Sequence, residues 1–197
     1  MTSDNSLSVA HRLLAPRIAY LIGTRSADGT ANLIPVSNLT SVSTRPQQVA
    51  VAVYKEWVTY KNLLSASGFT ISVPTVEQLE SVWKLGARYS GFPIKEPAQK
   101  LRASGLELDF ESSIYGPVTP AGLGWMACKI IARIDLGGDH GLTIAQIDHV
   151  WFNPEFLTVD GIPHGVTHPL MQQTGNHFAT TADELTSIPY FQATPSE

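Results

Sequence analysis

Short apolar runs separated by polar, glycine-containing turns dominate the first third of the chain. Arg17 to Thr24 is rich in β-branched and aromatic residues and predicts a strand. Ser26-Ala27-Asp28-Gly29-Thr30 follows it, and Asp-Gly between two such runs is a strong hairpin signal. Ala31 to Val36 is the predicted return strand, Gln48 to Tyr54 a third and Phe69 to Val73 a fourth. Downstream, Ala127 to Leu136 and Leu142 to Phe152 read as a long hairpin joined through Gly137-Gly138-Asp139-His140-Gly141, where the glycines can supply positive φ. Phe156 to Val159, before Asp160-Gly161, reads as a short edge strand.

Helical patterns are fewer. Thr59 to Ala66 starts at a good N-cap residue and stops at Gly68. Thr75 to Ala87 follows Pro74 and places Val76, Leu79, Val82 and Trp83 on one face. Glu96 to Ser104 is a shorter helix ended by Gly105, and the Gly-, Pro- and Ser-rich stretch from Glu111 to Gly124 reads as a long loop. Strands that outnumber helices and pair through tight turns favour an antiparallel barrel over a doubly wound sheet. The expectation is a mainly β, Greek-key antiparallel barrel with a few short helices. With no repeat and no shift in composition, 1–197 reads as one domain, which suits 197 residues.

Charge narrows the partners. Only 15% of residues are charged, against a usual quarter, so part of the surface is expected to lie under a partner subunit or a ligand. A net charge of −4 without any Lys/Arg block argues against nucleic acid and against an acidic membrane surface. The one cysteine, Cys128, lies in the apolar run Trp125 to Ile131 and reads as a buried, inert thiol. Met1 to Ser8 is polar and lacks the apolar core of a signal peptide, and no stretch reaches eighteen apolar residues. The expected location is cytoplasmic.

Two stretches could carry chemistry. Asn32 to Ser43 (Asn-Leu-Ile-Pro-Val-Ser-Asn-Leu-Thr-Ser-Val-Ser) leaves a strand near Pro35 for a run of uncharged hydroxyls and amides. Such a run suits a phosphate or a ring with alternating donors and acceptors, and equally an ordinary polar crossover loop. After the third strand, Thr59 would cap a helix whose N-terminus attracts anions, with Lys55 or Lys61 adding charge; a plain cap reads the same way. Among six histidines, His164 and His168 have a metal-like spacing, but Pro163 and Pro169 bracket them and no acidic or Cys partner is near in sequence, so no metal site is expected. Gly-x-Gly-x-x-Gly and Gly-x-Ser-x-Gly are both absent, which leaves Rossmann and hydrolase readings unsupported.

The order of these segments resembles the flavin reductase-like, flavoredoxin-type FMN-binding split barrels. After the Asp-Gly hairpin, that family's Asn-x-x-Pro-x-Ser, later Ser and apolar strand are similar to Asn32, Pro35, Ser37, Ser43 and Val49 to Tyr54. Its basic residue followed by Thr-x-x-Asn-hydrophobic resembles Lys55, Thr59, Asn62 and Leu63. Gly86 to Gly91 resembles its small-residue, Arg, Ser-Gly close, and Leu101-x-x-x-Gly105-Leu106 a further turn. The Cys128 strand with Gly138-Asp139-His140 and Ile144 to Ile147 is similar to its second hairpin, and His168-Pro169-Leu170 to Phe178 to its ending. The likeness covers roughly residues 12 to 180.

The resemblance implies FMN at a homodimer interface, with its phosphate on the Ser/Thr loop and the Thr59 helix end. It implies flavin contacts at Asn32, Ser37, Asn38, Leu39, Thr40, Ser43, Thr59 and Asn62, phosphate or ring partners at Lys55 and Lys95, and an approach to the ring by His140 and Phe178. The implied activity is an NAD(P)H-dependent flavin reductase that passes electrons through FMN to an acceptor, with NADH or NADPH as donor and a redox protein or monooxygenase as a further partner. The alternative is a non-catalytic FMN carrier reduced by a protein. No side chain need be a nucleophile, and His140 and His168 are the candidates for orienting the nicotinamide. Asn38-Leu39 where relatives carry an aromatic residue, and Ala145-Gln146 where they carry Gly-Glu, bear on substrate choice more than on fold.

Overall fold

The first turn of the barrel depends on a glycine. In the computed structural model, which describes residues 7–183, Gly29 adopts a φ of 83°, a conformation that disfavours any residue with a Cβ. A 3₁₀ segment, Leu7–Leu14, and a two-residue strand β1 (Arg17–Ile18) precede it. The Asp28 carboxylate accepts from Thr30 N at 3.1 Å, and the turn folds β2 (Tyr20–Arg25) onto β3 (Ala31–Val36). The chain continues through β4 (Leu39–Thr44), β5 (Gln47–Tyr54), α1 (Val58–Ser65) and β6 (Gly68–Val73). The helices α2 (Leu79–Leu85), α3 (Ala87–Ser90) and α4 (Pro97–Ser104) come next. They are followed by the long hairpin β7 (Gly124–Asp135) and β8 (His140–Phe152), then by β9 (Met171–Thr174) and β10 (His177–Ala179).

Seven strands form one sheet in the order β3-β2-β6-β7-β8-β5-β4, every neighbouring pair antiparallel. Its two edge strands, β3 and β4, are consecutive in sequence and joined only by Ser37-Asn38. A two-residue link can join opposite edges only if the sheet curls on itself, so the barrel closes there without pairing and is split along that seam. Asn38 O extends the β4–β5 ladder by accepting from Ala52 N at 2.9 Å. The pairing of β2 with β6 and of β5 with β8 supplies the Greek-key crossovers. A small sheet, β1-β9-β10, lies beside the seam, tied to the barrel by Ala19 N donating to Leu170 O at 2.8 Å.

Successive side chains on a strand face opposite ways, and here both faces are buried. Ile22, Val36, Val51, Phe69, Ile71 and Cys128 join one core cluster, whereas Leu21 and Leu33 pack with Val82, Leu85, Leu101 and Leu170. Cys128 is fully buried, and burial pushes its thiol up to about 12, so it is inert as the apolar run suggested.

Four segments differ from expectation. The Ser/Thr run beyond Asn38 is strand β4, not a loop: its hydroxyls face solvent on a sheet edge while its backbone pairs with β5. The helix expected over Thr75 to Ala87 is broken into a 3₁₀ turn (Val76–Gln78), α2 and α3. Thr75 and Gln78 form a capping box at its start, and Gly86 leaves helical geometry at φ −79°, ψ 38°. Phe156 to Val159 is a turn, not an edge strand, because Asn153 O accepts from both Phe156 N and Leu157 N; only the bridge Leu157↔Pro163 remains. The short strands β9 and β10 had no recognisable sequence signal. Of the expected single domain, residues 1–6 and 184–197 lie outside the described residues, as do the side chains of Arg88 and Tyr89 in the Gly86 to Gly91 motif.

Candidate functional site

β3 forms one wall of a cleft of about 1500 Å³, which the start of α1, the helices α2 to α4 and the β9–β10 turn enclose. At the α1 end, Asn32 Nδ2 donates to Thr59 Oγ1 at 2.8 Å, with both residues buried. Thr59 is therefore not the cap. The N-cap is Trp57, with extended geometry and no side-chain bond to the helix, and Thr59 is the second helical residue, its hydroxyl spent on β3. The first turn of α1 thus reaches the cleft through Val58 and Thr59 without a capping side chain over its N–H groups. Asn62 turns the other way: its Nδ2 donates to Thr24 Oγ1 at 2.9 Å and pins α1 to β2.

Lys100 is a cleft residue that the sequence reading missed. It lies in the cleft wall only 5% exposed, with Nζ 3.4 Å from Asn32 Oδ1. Burial depresses its ammonium to about 8, opposed by the Glu96 carboxylate that caps α4. No described carboxylate lies within ion-pair distance of it. A signal was present: Pro97, Lys100, Leu101 and Ser104 follow the i, i+3, i+4, i+7 rhythm of a buried helix face, and Lys100 occupies a core position on it.

The far end of the cleft, where β3 gives way to Ser37-Asn38, is lined by neutral polar groups around a second cation. Arg17 Nη1 donates to Asn38 Oδ1 at 2.8 Å, and Ser37 Oγ bonds Gln172 Oε1 at 3.1 Å. Aromatic rings also line the cleft. Trp83 meets Phe178 edge to face at 5.7 Å, a contact that turns Trp83 from the expected core face into the cleft wall. His140 packs on Tyr54 at 5.6 Å, and its Nδ1 lies 2.7 Å from Asp139 Oδ1, which holds the Asp139 carboxyl below its usual range.

The structure thus gathers Asn32, Ser37, Asn38, Thr59, Lys95, His140 and Phe178 around one cleft. Leu39, Thr40 and Ser43 sit on β4 outside its walls. Lys55 is also outside, held by Asp135 at 2.7 Å. His168 is not in the lining, and its Nε2 lies 3.6 Å from Asp183 Oδ1. Cationic side chains in the lining (Arg12, Arg17, Lys95, Lys100) outnumber the acids Glu56 and Asp139, although the chain as a whole carries −4. Among the described residues no group of three or more His, Cys, Asp or Glu could hold a metal ion, and no helix is long and apolar enough to cross a membrane.

A family model described as the flavin reductase like domain matches residues 12–184. The chain belongs to that family. Among members of known sequence, an uncharacterised protein of Pyrococcus abyssi is 29% identical over 175 residues, spanning 89% of this chain and 96% of its own. The flavin reductase-like fold recurs in the 2-nitrobenzoate 2-nitroreductase of Pseudomonas fluorescens, with a TM-score of 0.79 at 18% identity, covering 100% of this chain and 96% of the other. It recurs also in a protein described as a flavin reductase with a split barrel domain from Shewanella frigidimarina, with a TM-score of 0.76 at 18% identity, covering 96% and 94%. Fold and family together make this chain a split barrel of the flavin reductase like family.

Proposed function

We propose that the chain binds FMN in this cleft and acts as an NAD(P)H-dependent oxidoreductase, taking electrons from a reduced nicotinamide and delivering them to a small acceptor or a redox protein such as a monooxygenase. The observation that carries the reading is a buried, unpaired lysine beside an uncapped helix turn in one large aromatic-edged cleft. A buried cation with only a neutral amide for company is costly, and a phosphate offsets that cost. Lys100 and the first turn of α1 would hold the phosphate, with Lys95 at the rim. Asn32 and Thr59 fix that end of the cleft. Ser37, Asn38 and the backbone of β3 offer donors and acceptors along one wall for a flat heterocycle, and Trp83, Phe178 and His140 close its other sides.

When bound, the flavin supplies hydride and single-electron chemistry. The chain's own residues bind, orient and exclude water. His140, held by Asp139 and Tyr54 in the cleft lining, would orient an incoming nicotinamide; His168 is not in the lining. We propose further that the working unit is a homodimer. Its support is the low charge content together with exposed apolar side chains on the β7–β8 hairpin and its turn: Ile131, Ile134, Leu136 and Val150. In such a dimer Leu39, Thr40, Ser43 and Lys55, which lie outside the cleft of their own subunit, remain available to the partner's flavin.

The test is anaerobic addition of NADH and of NADPH to the FMN-loaded protein. Bleaching of the visible flavin band by either donor is expected. A band that forms with FMN yet bleaches with neither donor would instead make the chain an electron carrier reduced by another protein.

A further inference from the structure

Arg17 is not accounted for by a flavin held through Lys100. Its guanidinium lies in the cleft wall with Nη1 on the neutral Asn38 Oδ1, while its Nε is buried without a hydrogen-bond partner. Among the described residues no carboxylate forms an ion pair with it. The groups around it, Ser37, Asn38 and Gln172, are all uncharged. A part-buried guanidinium in a cleft wall, with a neutral amide as partner and no ion pair, keeps further N–H donors of its fork for an anion that enters the cleft.

Distance decides whether that ligand could be the same phosphate. Lys100 is tethered to Asn32 and Arg17 to Asn38, at opposite ends of β3. The extended stretch from Asn32 to Val36 alone spans roughly 13 Å. A phosphate held at Lys100 and the first turn of α1 therefore leaves Arg17, at the other end of β3, to a different group. We propose that Arg17 is an oxyanion clamp for the second ligand of the cleft, the molecule that gives electrons to the flavin or takes them from it. Its planar fork matches a carboxylate or a phosphate. The chemistry is therefore that of an anionic organic acceptor or of the diphosphate of a nicotinamide dinucleotide. The inference rests on the FMN reading for the assignment of the other end of the cleft.

The test is isothermal titration of FMN-loaded protein with benzoate, benzamide and inorganic pyrophosphate, for the wild type, Arg17→Lys and Arg17→Met. At least one anion is expected to bind the wild type tenfold or more above benzamide, to lose that margin in Arg17→Met and to recover part of it in Arg17→Lys. A benzoate preference assigns the clamp to an acceptor's carboxylate, and a pyrophosphate preference to the donor's diphosphate. The ratio of FMN to riboflavin affinity, read by fluorescence, is expected to stay unchanged in Arg17→Met. The proposal is overturned if neither anion distinguishes the wild type from Arg17→Met. It is equally overturned if the FMN-to-riboflavin ratio collapses in that variant, since Arg17 would then hold the flavin's own phosphate. If the wild type never takes up FMN, the functional reading fails while the anion titration is still readable on the flavin-free chain.

Discussion

Lys100 keeps only 5% of its surface in water, and its ammonium faces a single neutral oxygen, Asn32 Oδ1 at 3.4 Å. Burial is the larger influence and Glu96 the smaller, opposing one, which leaves the folded pKa at about 8 against an ordinary 10.5. Between those values the unfolded chain holds the proton and the folded chain does not. The flavin-free protein therefore gains stability as pH rises through that window; below it both states are protonated and the penalty is constant. A phosphate needs the charged form, so FMN affinity is expected to fall above pH 8 by up to roughly tenfold per pH unit, with riboflavin affinity nearly flat. Fluorescence titrations of both flavins across that range check the sign. Lys100→Met is expected to weaken FMN by about ten- to hundredfold while raising the melting temperature of the flavin-free protein. A variant that binds FMN normally would remove Lys100 from the phosphate site.

At the scale of elements, the site exists because two buried amide–hydroxyl pairs lock α1 against the barrel: Asn32 with Thr59, and Asn62 with Thr24. Asn62 never touches the cleft, yet it fixes the helix whose first turn does. Asn62→Ala strands the buried Thr24 hydroxyl and is expected to destabilise the fold by about 1–3 kcal/mol in urea unfolding, with a secondary loss of FMN affinity. The opposite order of effects, flavin binding lost at unchanged stability, would return Asn62 to direct flavin contact.

The same elements show what the chain made legible. The Asp28-Gly29 hairpin, the Ala31 to Val36 strand and the β7–β8 hairpin were readable because turn chemistry and apolar runs agree there. β4 was not: an edge strand with a solvent-facing row of Ser and Thr has the composition of a loop, and only its pairing with β5 reveals it. Part of the candidate site was likewise legible, in Asn32, Ser37, Asn38, Thr59, Lys95, His140 and Phe178. Lys100 and Arg17 escaped because a cation's place in a cleft wall is a tertiary fact, set by helix packing on β3 in one case and by β1 joining β9 in the other.

Over the whole molecule, the distribution of charge is the feature that the net value hides. An acidic chain lines this cleft with more cations than acids, which raises the local concentration of anionic ligands and steers them inward. The apolar side chains left on the β7–β8 hairpin predict a stable dimer: sedimentation equilibrium should give about twice the 21.4 kDa chain mass, and a monomer at micromolar concentration would contradict it. The central claim is that the cleft is a flavin site anchored through phosphate. Its most direct test is the affinity of the flavin-free wild-type protein for FMN and for riboflavin at pH 7, read by quenching of flavin fluorescence. FMN should bind at least about tenfold more tightly, as one charge-assisted phosphate contact requires. Equal affinity for the two flavins, or no quenching by either, would contradict the account.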